Sequence, residues 1–436
     1  MRKIRSGWLW VIVIAALPVL RRLQLHGLAD TNTTYGIFSA LGESAGLVAL
    51  SLYAMNFMLS TRLRVFERLF GGLNKAYNAH HIIGGLALIF MLAHPLLLAM
   101  RYAPDAMKDA AMFLLPTLGS APDWPKNFGI MTLTVTVTLL IITFYANWKH
   151  ETWLATHRWI GLGLLLAGLH VYLIPSDTAV DGLLRCYMLT LIGIGLLAYT
   201  YRTLLGQILV RRKHMAVKAV EPLTDQALRI RLAPRDPKEA LAFRPGQFVF
   251  IRFLQPGIAN QFHPFSITVR PGSPEINLIV KTLGDFTTSL RQLQPGTLAE
   301  IEGAFGSFSS QARGPQIWIA GGIGITPFLS MAKSLGPNAR VELFYVVDTD
   351  NDLVEYQELL AIAARIPESL HLTIYLTKQM RGRITAEYIN QHSSGGIGQK
   401  HVLLCGPQSM MDGMGRQLRQ LGIAKDHIHT EEFALS

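Results

Sequence analysis

The chain changes character near residue 210. Before that point, apolar residues run in long blocks broken by short polar stretches. An apolar block of about 20 residues is long enough to cross a bilayer as a helix. Six such blocks stand out, at 7–23, 36–59, 80–100, 127–147, 155–174 and 182–205. Beyond residue 214 the apolar runs are short. FVFIRF (248–253) and INLIVK (276–281) read as strands, separated by Pro-Gly turns at 245, 256, 271 and 295, which predicts a β-barrel or sandwich. From about residue 315 the pattern becomes apolar strand, Gly-rich turn and helix, repeated through IWIAGGIGITPF, VELFYVV, LTIYLT and HVLLCGP. That repeat predicts an α/β nucleotide-binding layout on a parallel sheet. The expected order is a six-span helical membrane bundle over 1–210, a β-barrel over 214–312 and an α/β domain over 313–436.

Two of the apolar blocks carry paired histidines: His80 and His94 in one, His157 and His170 in the other. Spacings of 14 and 13 residues separate the members of a pair by roughly 20 Å along a helix. Imidazole is a good iron ligand, and two per haem give a closed, six-coordinate electron-transfer site. The third and fifth spans run in the same direction, so His80 is expected to pair with His157 and His94 with His170, one haem near each leaflet. A straight helix puts residues 14 apart about 40° from a common face and residues 13 apart about 140° from it. The second pair therefore requires tilt or local distortion, for which Gly161, Gly163 and Gly168 give room. His81 competes with His80, and the spacing favours His80. Ionisable groups inside a membrane are costly and usually functional.

Composition and charge sharpen this picture. The chain is 50% hydrophobic and only 16% charged, with a net charge of +11. The distribution of the charge explains it better than nucleic-acid binding does. With six spans, one side holds thirteen Lys and Arg residues and the other six. The richer side should be cytoplasmic, and residues 214–436 emerge there. MRKIRS before the first apolar run also resembles a signal peptide, but no small-x-small cleavage site follows it, so the first span reads as retained. Two cysteines, Cys186 and Cys405, exclude a disulfide framework and a four-thiolate iron–sulfur cluster held by this chain alone. Glu43 is a lone carboxylate within the second span, placed to face a polar cavity, to assist proton movement or to make a plain contact within the bundle, and His26 reads as solvated.

The later half carries its own candidate chemistry. After RPGQF (244–248) comes HPFS (263–266), in which Phe265 suits packing on an isoalloxazine ring and Ser266 a hydrogen bond to its edge. In KTLGDFTTSL (281–290), Gly284 permits close backbone approach, and Thr287 and Thr288 are placed to open a helix toward a pyrophosphate. EGAFGSF (302–308) reads as a tight turn. In AGGIGITP (320–327), Gly321, Gly322 and Gly324 allow a tight turn against a phosphate, and Thr326 is placed to cap the next helix. CGP (Cys405, Gly406, Pro407) ends a later sheet strand, where ligands of such sheets bind.

Taken together, these residues resemble the ferric reductase and NADPH oxidase superfamily, and the later half resembles ferredoxin–NADP reductases. The resemblance covers nearly the whole chain. It implies FAD, two b haems and NADPH (NADH remaining possible) as cofactors. The implied route runs from NAD(P)H to FAD, then one electron at a time to the inner haem, the outer haem and an outside acceptor, O2 or a ferric chelate. By motif match, His263, Pro264, Phe265 and Ser266 would contact flavin, with Lys281, Gly284, Thr287 and Thr288 near its phosphates. Gly322, Gly324, Thr326 and Pro327 would hold the dinucleotide. Cys405 would lie near the nicotinamide, and Phe433 would cover the flavin. Ala304 departs from the family, which often has proline there. Asp348 stands where the family usually leads to an adenosine-phosphate-binding arginine, and an acid near the ribose favours NADH. Against that, Lys378, Arg381 and Arg383 form a basic cluster suited to a 2′-phosphate, which tips the expectation toward NADPH. Compact length points, by analogy, to a bacterial inner membrane. The alternative from another class is a haem subunit that feeds electrons to a partner protein.

Overall fold

The computed structural model describes residues 6–27, 32–103, 105–145, 150–308 and 314–431. The chain divides into two compact units, Met1–Val210 and Arg211–Ser436.

The first unit is helical. Its elements are α1 (Ser6–His26), α2 (Thr34–Leu59), α3 (Arg64–Phe70), α4 (Leu73–Met100), α5 (Met107–Phe113), α6 (Trp124–Tyr145), α7 (His150–His157), α8 (Ile160–Leu173), α9 (Asp177–Val180), α10 (Gly182–Tyr199) and α11 (Gly206–Leu209), with a π-helical turn at Thr200–Leu204. α2 packs chiefly on α4, α6 on α8, and α10 on α2 and α8. Tyr53, Ala54, Ala79, Ile83, Leu164 and Met188 form the centre of the bundle. Apolar side chains also cover its outside: Trp10, Ile12, Ile89, Leu96, Ile141 and Leu197 are all more than half exposed. An apolar exterior of that extent marks a membrane or protein contact, and here lipid provides it.

Among the described residues, five helices are long and apolar enough to cross a membrane, not the six expected. The block at 155–174 is broken. α7 ends at His157, Arg158 and Trp159 make a turn, and α8 restarts at Ile160. Two tyrosines enter the break. Tyr199 Oη donates to the Arg158 carbonyl (2.9 Å) and Tyr53 Oη to the Ile160 carbonyl (2.8 Å). Glycines admit them: a Cβ on Gly161 would lie 2.3 Å from the Tyr199 ring, and one on Gly163 would lie 2.6 Å from both Tyr53 Oη and Thr136 Oγ1. Side chains that replace ladder hydrogen bonds are a recognised cause of helix kinks. This break supplies the distortion that the 13-residue spacing of His157 and His170 requires.

Two polar residues of the bundle have charged partners. Glu43 is paired, its Oε2 lying 2.7 Å from Arg22 Nη2. His26 is not merely solvated, because its Nε2 meets Asp177 Oδ1 at 2.8 Å. With Arg21–Asp181 (2.7 Å), these contacts fasten α1 to α2, α9 and the start of α10.

The second unit contains two sheets. The first has the order β4-β3-β6-β1-β2-β5, built from β1 (Lys213–Thr224), β2 (Ala227–Pro234), β3 (Phe248–Leu254), β4 (His263–Ser266), β5 (Ile276–Lys281) and β6 (Leu298–Phe305). Every neighbouring pair is antiparallel. The short helix α12 (Asp285–Ser289) follows β5. The second sheet is parallel, in the order β11-β10-β7-β8-β9. Its strands are β7 (Gln316–Gly321), β8 (Val341–Val347), β9 (Leu370–Leu376), β10 (His401–Cys405) and β11 (Ile428–Glu431), flanked by α13 (Thr326–Ala332), α14 (Tyr356–Arg365), α15 (Ala386–His392) and α16 (Gln408–Gln420). Its strands are nearly continuous apolar runs because both faces are covered. Separate apolar clusters lie on the two faces, one around Trp318, Phe328 and Tyr345, the other around Ile319, Phe344 and Leu404.

Candidate functional site

Four buried or half-buried imidazoles lie on α4, α7 and α8. The ring centres of His94 and His170 are 6.4 Å apart, their planes at 71°. Two imidazoles that each set a nitrogen about 2 Å from one iron have ring centres about 6 Å apart. His94 Nδ1 lies 2.7 Å from the Gly42 carbonyl and His170 Nδ1 lies 2.7 Å from the Pro125 carbonyl. A carbonyl only accepts, so each Nδ1 carries the proton and each Nε2 keeps its lone pair. That is the tautomer a metal-binding histidine needs, held by a backbone partner. Glycines shape the pocket: a Cβ on Gly46 would lie 2.7 Å from His94 Nδ1, and one on Gly129 would lie 3.0 Å from the His170 ring. The pair fits a haem, with the macrocycle supplying the other iron ligands.

At the other end of α4, His80 Nδ1 lies 3.1 Å from the Asn56 carbonyl. His157 is within electrostatic range of both His80 and His81. His80 is half-buried and anchored to the backbone, whereas the neighbouring His81 is exposed. The His157 Nδ1 is buried and has no hydrogen-bond partner among the described residues. Sequence reasoning passed over Gly42, Gly46, Asn56, Pro125 and Gly129. Gly46 and Gly129 were detectable as small residues in apolar helices, but the carbonyls carry no sequence signal.

In the second unit, His263, Pro264, Phe265 and Ser266 form β4, which pairs with β3 so that Ser266 faces Phe248. The His263 ring stacks on Phe286 at 3.6 Å, and Ser266 is buried. Lys281 ends β5, and Gly284 caps α12. Thr287 Oγ1 accepts from the N–H groups of Leu283 (2.9 Å) and Gly284 (3.0 Å), so its hydroxyl shapes the turn and occupies two of its amides. Thr288 lies within α12 and does not open it.

The Gly-rich turn and CGP touch. A Cβ on Gly324 would lie 2.2 Å from the Cys405 carbonyl oxygen, and one on Gly406 would lie 3.0 Å from the Gly321 Cα. Gly322 adopts a φ of 53°, with open space around its missing Cβ. Thr326 does not cap α13; its hydroxyl donates to the Ile323 carbonyl (3.0 Å). Beside this turn lies a cavity of about 350 Å³. Its walls include Lys281 from β5, Gly321 and Gly322 after β7, Pro407 after β10, and Arg383. Of the residues expected to serve flavin, Lys281 shares this cleft with Gly321, Gly322, Pro407 and Arg383 of the dinucleotide set, whereas Phe265, Ser266 and Thr287 do not line it. Arg229 on β2 pairs with Glu355 (2.9 Å), and Ser330 Oγ accepts from the Gly246 N–H (2.8 Å). These contacts hold the barrel against the parallel sheet.

Cys405 is fully buried. Burial, with Glu431 adding to it, pushes its thiol well above the usual range. A thiol that is both buried and protonated is a poor nucleophile. Iodoacetamide at pH 8 is expected to leave Cys405 unlabelled in the native protein and to label it in urea, as peptide mass spectrometry would show. Phe433 lies outside the described residues.

Three family models match the chain. They are a ferric reductase like transmembrane component over residues 45–168, an FAD-binding domain over 212–321 and an oxidoreductase NAD-binding domain over 318–416. The second unit is thus that of an NAD(P)H-dependent oxidoreductase. Together, in this order, the three models match the ferric reductase/NADPH oxidase-like superfamily. Among curated relatives, the chain is 30% identical to the toluate 1,2-dioxygenase electron transfer component of Pseudomonas putida, over 45% of this chain and 60% of that protein. It is 28% identical to the propane 2-monooxygenase reductase component of Rhodococcus jostii, over 55% of this chain and 68% of that one. The chain therefore spans less than two thirds of the toluate dioxygenase component. Among solved structures, the flavohemoglobin of Malassezia yamatoensis aligns with a TM-score of 0.50 at 16% identity, covering 96% of this chain and 99% of that one. At that identity the likeness concerns fold alone.

Proposed function

We propose that this protein carries electrons from NAD(P)H, through FAD held by the β-barrel, across a membrane by way of two bis-histidine haems, to an acceptor on the far side. The observation that carries the reading is the His94–His170 pair, with ring centres 6.4 Å apart and both Nδ1 atoms engaged by carbonyls. His80 and His157 hold the second haem. FAD, when bound, would supply the conversion of a two-electron hydride donor into single electrons, the form that haem iron accepts. Around it, the chain positions and packs: Phe265 and Ser266 line the ring, and Lys281 places a positive charge near the phosphates. Gly321, Gly322 and Gly324 bring the nicotinamide dinucleotide against the cleft, with Pro407 on its wall. The Lys and Arg bias puts the second unit on the cytoplasmic side. A haem held by two histidines would have both its protein-facing ligand sites filled, so an acceptor would have to approach from outside the iron.

The acceptor is O2, giving superoxide, or a ferric chelate. A second reading is favoured by the relatives whose names describe reductase and electron-transfer components of oxygenases: the chain would then feed a partner protein. Haem reoxidation separates these. With FAD loaded and the haems reduced anaerobically by NAD(P)H, oxygen, a ferric chelate or neither is added, and haem absorbance is followed. Fast reoxidation by oxygen with superoxide formed marks an oxidase, and fast reoxidation by the chelate with sluggish oxygen marks a ferric reductase. Haems that reduce but resist both acceptors point to a partner protein. Haems that fail to reduce at all overturn the route.

A further inference from the structure

The cleft beside the Gly-rich turn carries a selectivity that the basic cluster at 378–383 hides. In a doubly wound sheet, the pyrophosphate sits at the first Gly-rich turn, and an acid about 20 residues further on receives the adenosine ribose. Here the turn follows β7, and the neighbouring strand β8 ends at Val347, so Asp348 emerges from the same sheet edge. It lies 24 residues after Gly324. Asp348 is exposed and lines the cavity together with Asp352. Thr377 Oγ1, from the segment after β9, donates to Asp348 Oδ1 (2.6 Å), which fixes the carboxylate and leaves Oδ2 uncommitted among the described residues. Asp352 Oδ2 accepts from both the N–H (3.0 Å) and the hydroxyl (2.7 Å) of Thr349, which holds a second carboxylate at this end. All three residues of the basic cluster are exposed, and of them only Arg383 lines the cavity.

We propose that Asp348 selects NADH over NADPH by accepting a hydrogen bond from the adenosine ribose 2′-hydroxyl and repelling a 2′-phosphate. A hydroxyl is a donor that an ionised carboxylate accepts, whereas a phosphate at that position brings only acceptors and like charge. Asp352 on the same wall adds to that repulsion, while Arg383 and Lys281 are the basic residues lining the cavity. The selection rests on the reading of this cleft as the NAD(P)H site, and it reverses the preference that the basic cluster implies.

Anaerobic reduction of FAD in the full-length protein, followed by stopped-flow with NADH and NADPH in turn, tests both layers. The expected kcat/KM ratio favours NADH by about 100-fold or more. Asp348→Asn, which keeps an oxygen for Thr377 and the local shape, is expected to lower that ratio at least about tenfold, mainly by improving NADPH. Arg383→Ala should weaken NADPH more than NADH and so widen the ratio further. Equal or better use of NADPH by the unaltered protein overturns the selection, as does an unchanged ratio in Asp348→Asn. Failure of both nucleotides to reduce a bound flavin instead overturns the reading of the cleft.

Discussion

Alanine in place of His94 should halve the haem content, from two per chain to one, and stop electron delivery to the far side while leaving flavin reduction by NAD(P)H intact. The imidazole is held from two sides: its Nδ1–H bonds the Gly42 carbonyl at 2.7 Å, and its ring faces His170 at 6.4 Å between centres. With Nδ1 committed as donor, Nε2 is the remaining metal-binding atom. On the proposed pairing, its removal would leave His170 to hold iron alone, in a pocket whose glycine at 46 is matched to the lost ring. Altering even an outer partner of a metal ligand typically costs 10–100-fold in affinity or activity, so removing the ligand itself should cost at least about 100-fold in far-side reduction. Pyridine haemochrome absorbance per flavin reads the stoichiometry, and stopped-flow flavin bleaching reads the cytoplasmic half. His81→Ala is the matched control and should retain both haems. Two haems in the His94 variant, or one in the His81 variant, would show that the pairing is wrong.

The sequence announced the histidines, and it did so by cost. Ionisable residues inside long apolar blocks need a reason, and four at matched spacing share one. It did not announce the break at Arg158–Trp159. Apolar periodicity measures burial, and 155–174 is apolar throughout, so a helix and a broken helix look alike. What breaks it comes from other helices, Tyr53 from α2 and Tyr199 from the end of α10, through hydroxyls aimed at its carbonyls. Gly161 and Gly163 were readable as permissive, but what they admit was not. Glu43 repeats the lesson: it looked solitary because its partner, Arg22, sits on a different helix. The two sheets were easier, because alternation with Pro-Gly turns and strand–Gly–helix repeats are local signals. Within them, Thr287 and Thr326 were assigned by residue type alone. In the fold, Thr287 serves its own turn, and Thr326 donates to a carbonyl rather than capping a helix.

Gly324→Ala should be the most damaging single-methyl change in the second unit. A Cβ there would lie 2.2 Å from the Cys405 oxygen, 2.6 Å from its carbonyl carbon and 2.8 Å from the Gly406 Cα. All three are backbone atoms in or directly after a central strand of the parallel sheet, so no rotamer change relieves the overlap. Overpacking a tight core costs about 1–3 kcal/mol and sometimes more, and here the turn or β10 must move. For a unit of this size, about 3 kcal/mol corresponds to a fall in Tm of roughly 6–12 °C. The same displacement shifts Gly321 and Pro407 on the cavity wall, so nucleotide affinity should fall about tenfold or more even where the protein remains folded. The neighbouring glycines give the contrast. Ala at 321 would meet Met410 at 2.6 Å, a flexible thioether that can swing aside. Ala at 322 has nothing within 4 Å and bears only the strain of a φ of 53°, worth about 1–2 kcal/mol. Thermal unfolding of the FAD-loaded protein should therefore rank Gly324→Ala well below Gly321→Ala and Gly322→Ala. If all three unfold together, the glycines answer to a shared backbone requirement. If Gly324→Ala alone falls, the Gly-rich turn is built for contact with its own sheet as much as with a phosphate, and the CGP segment is the surface it was fitted to.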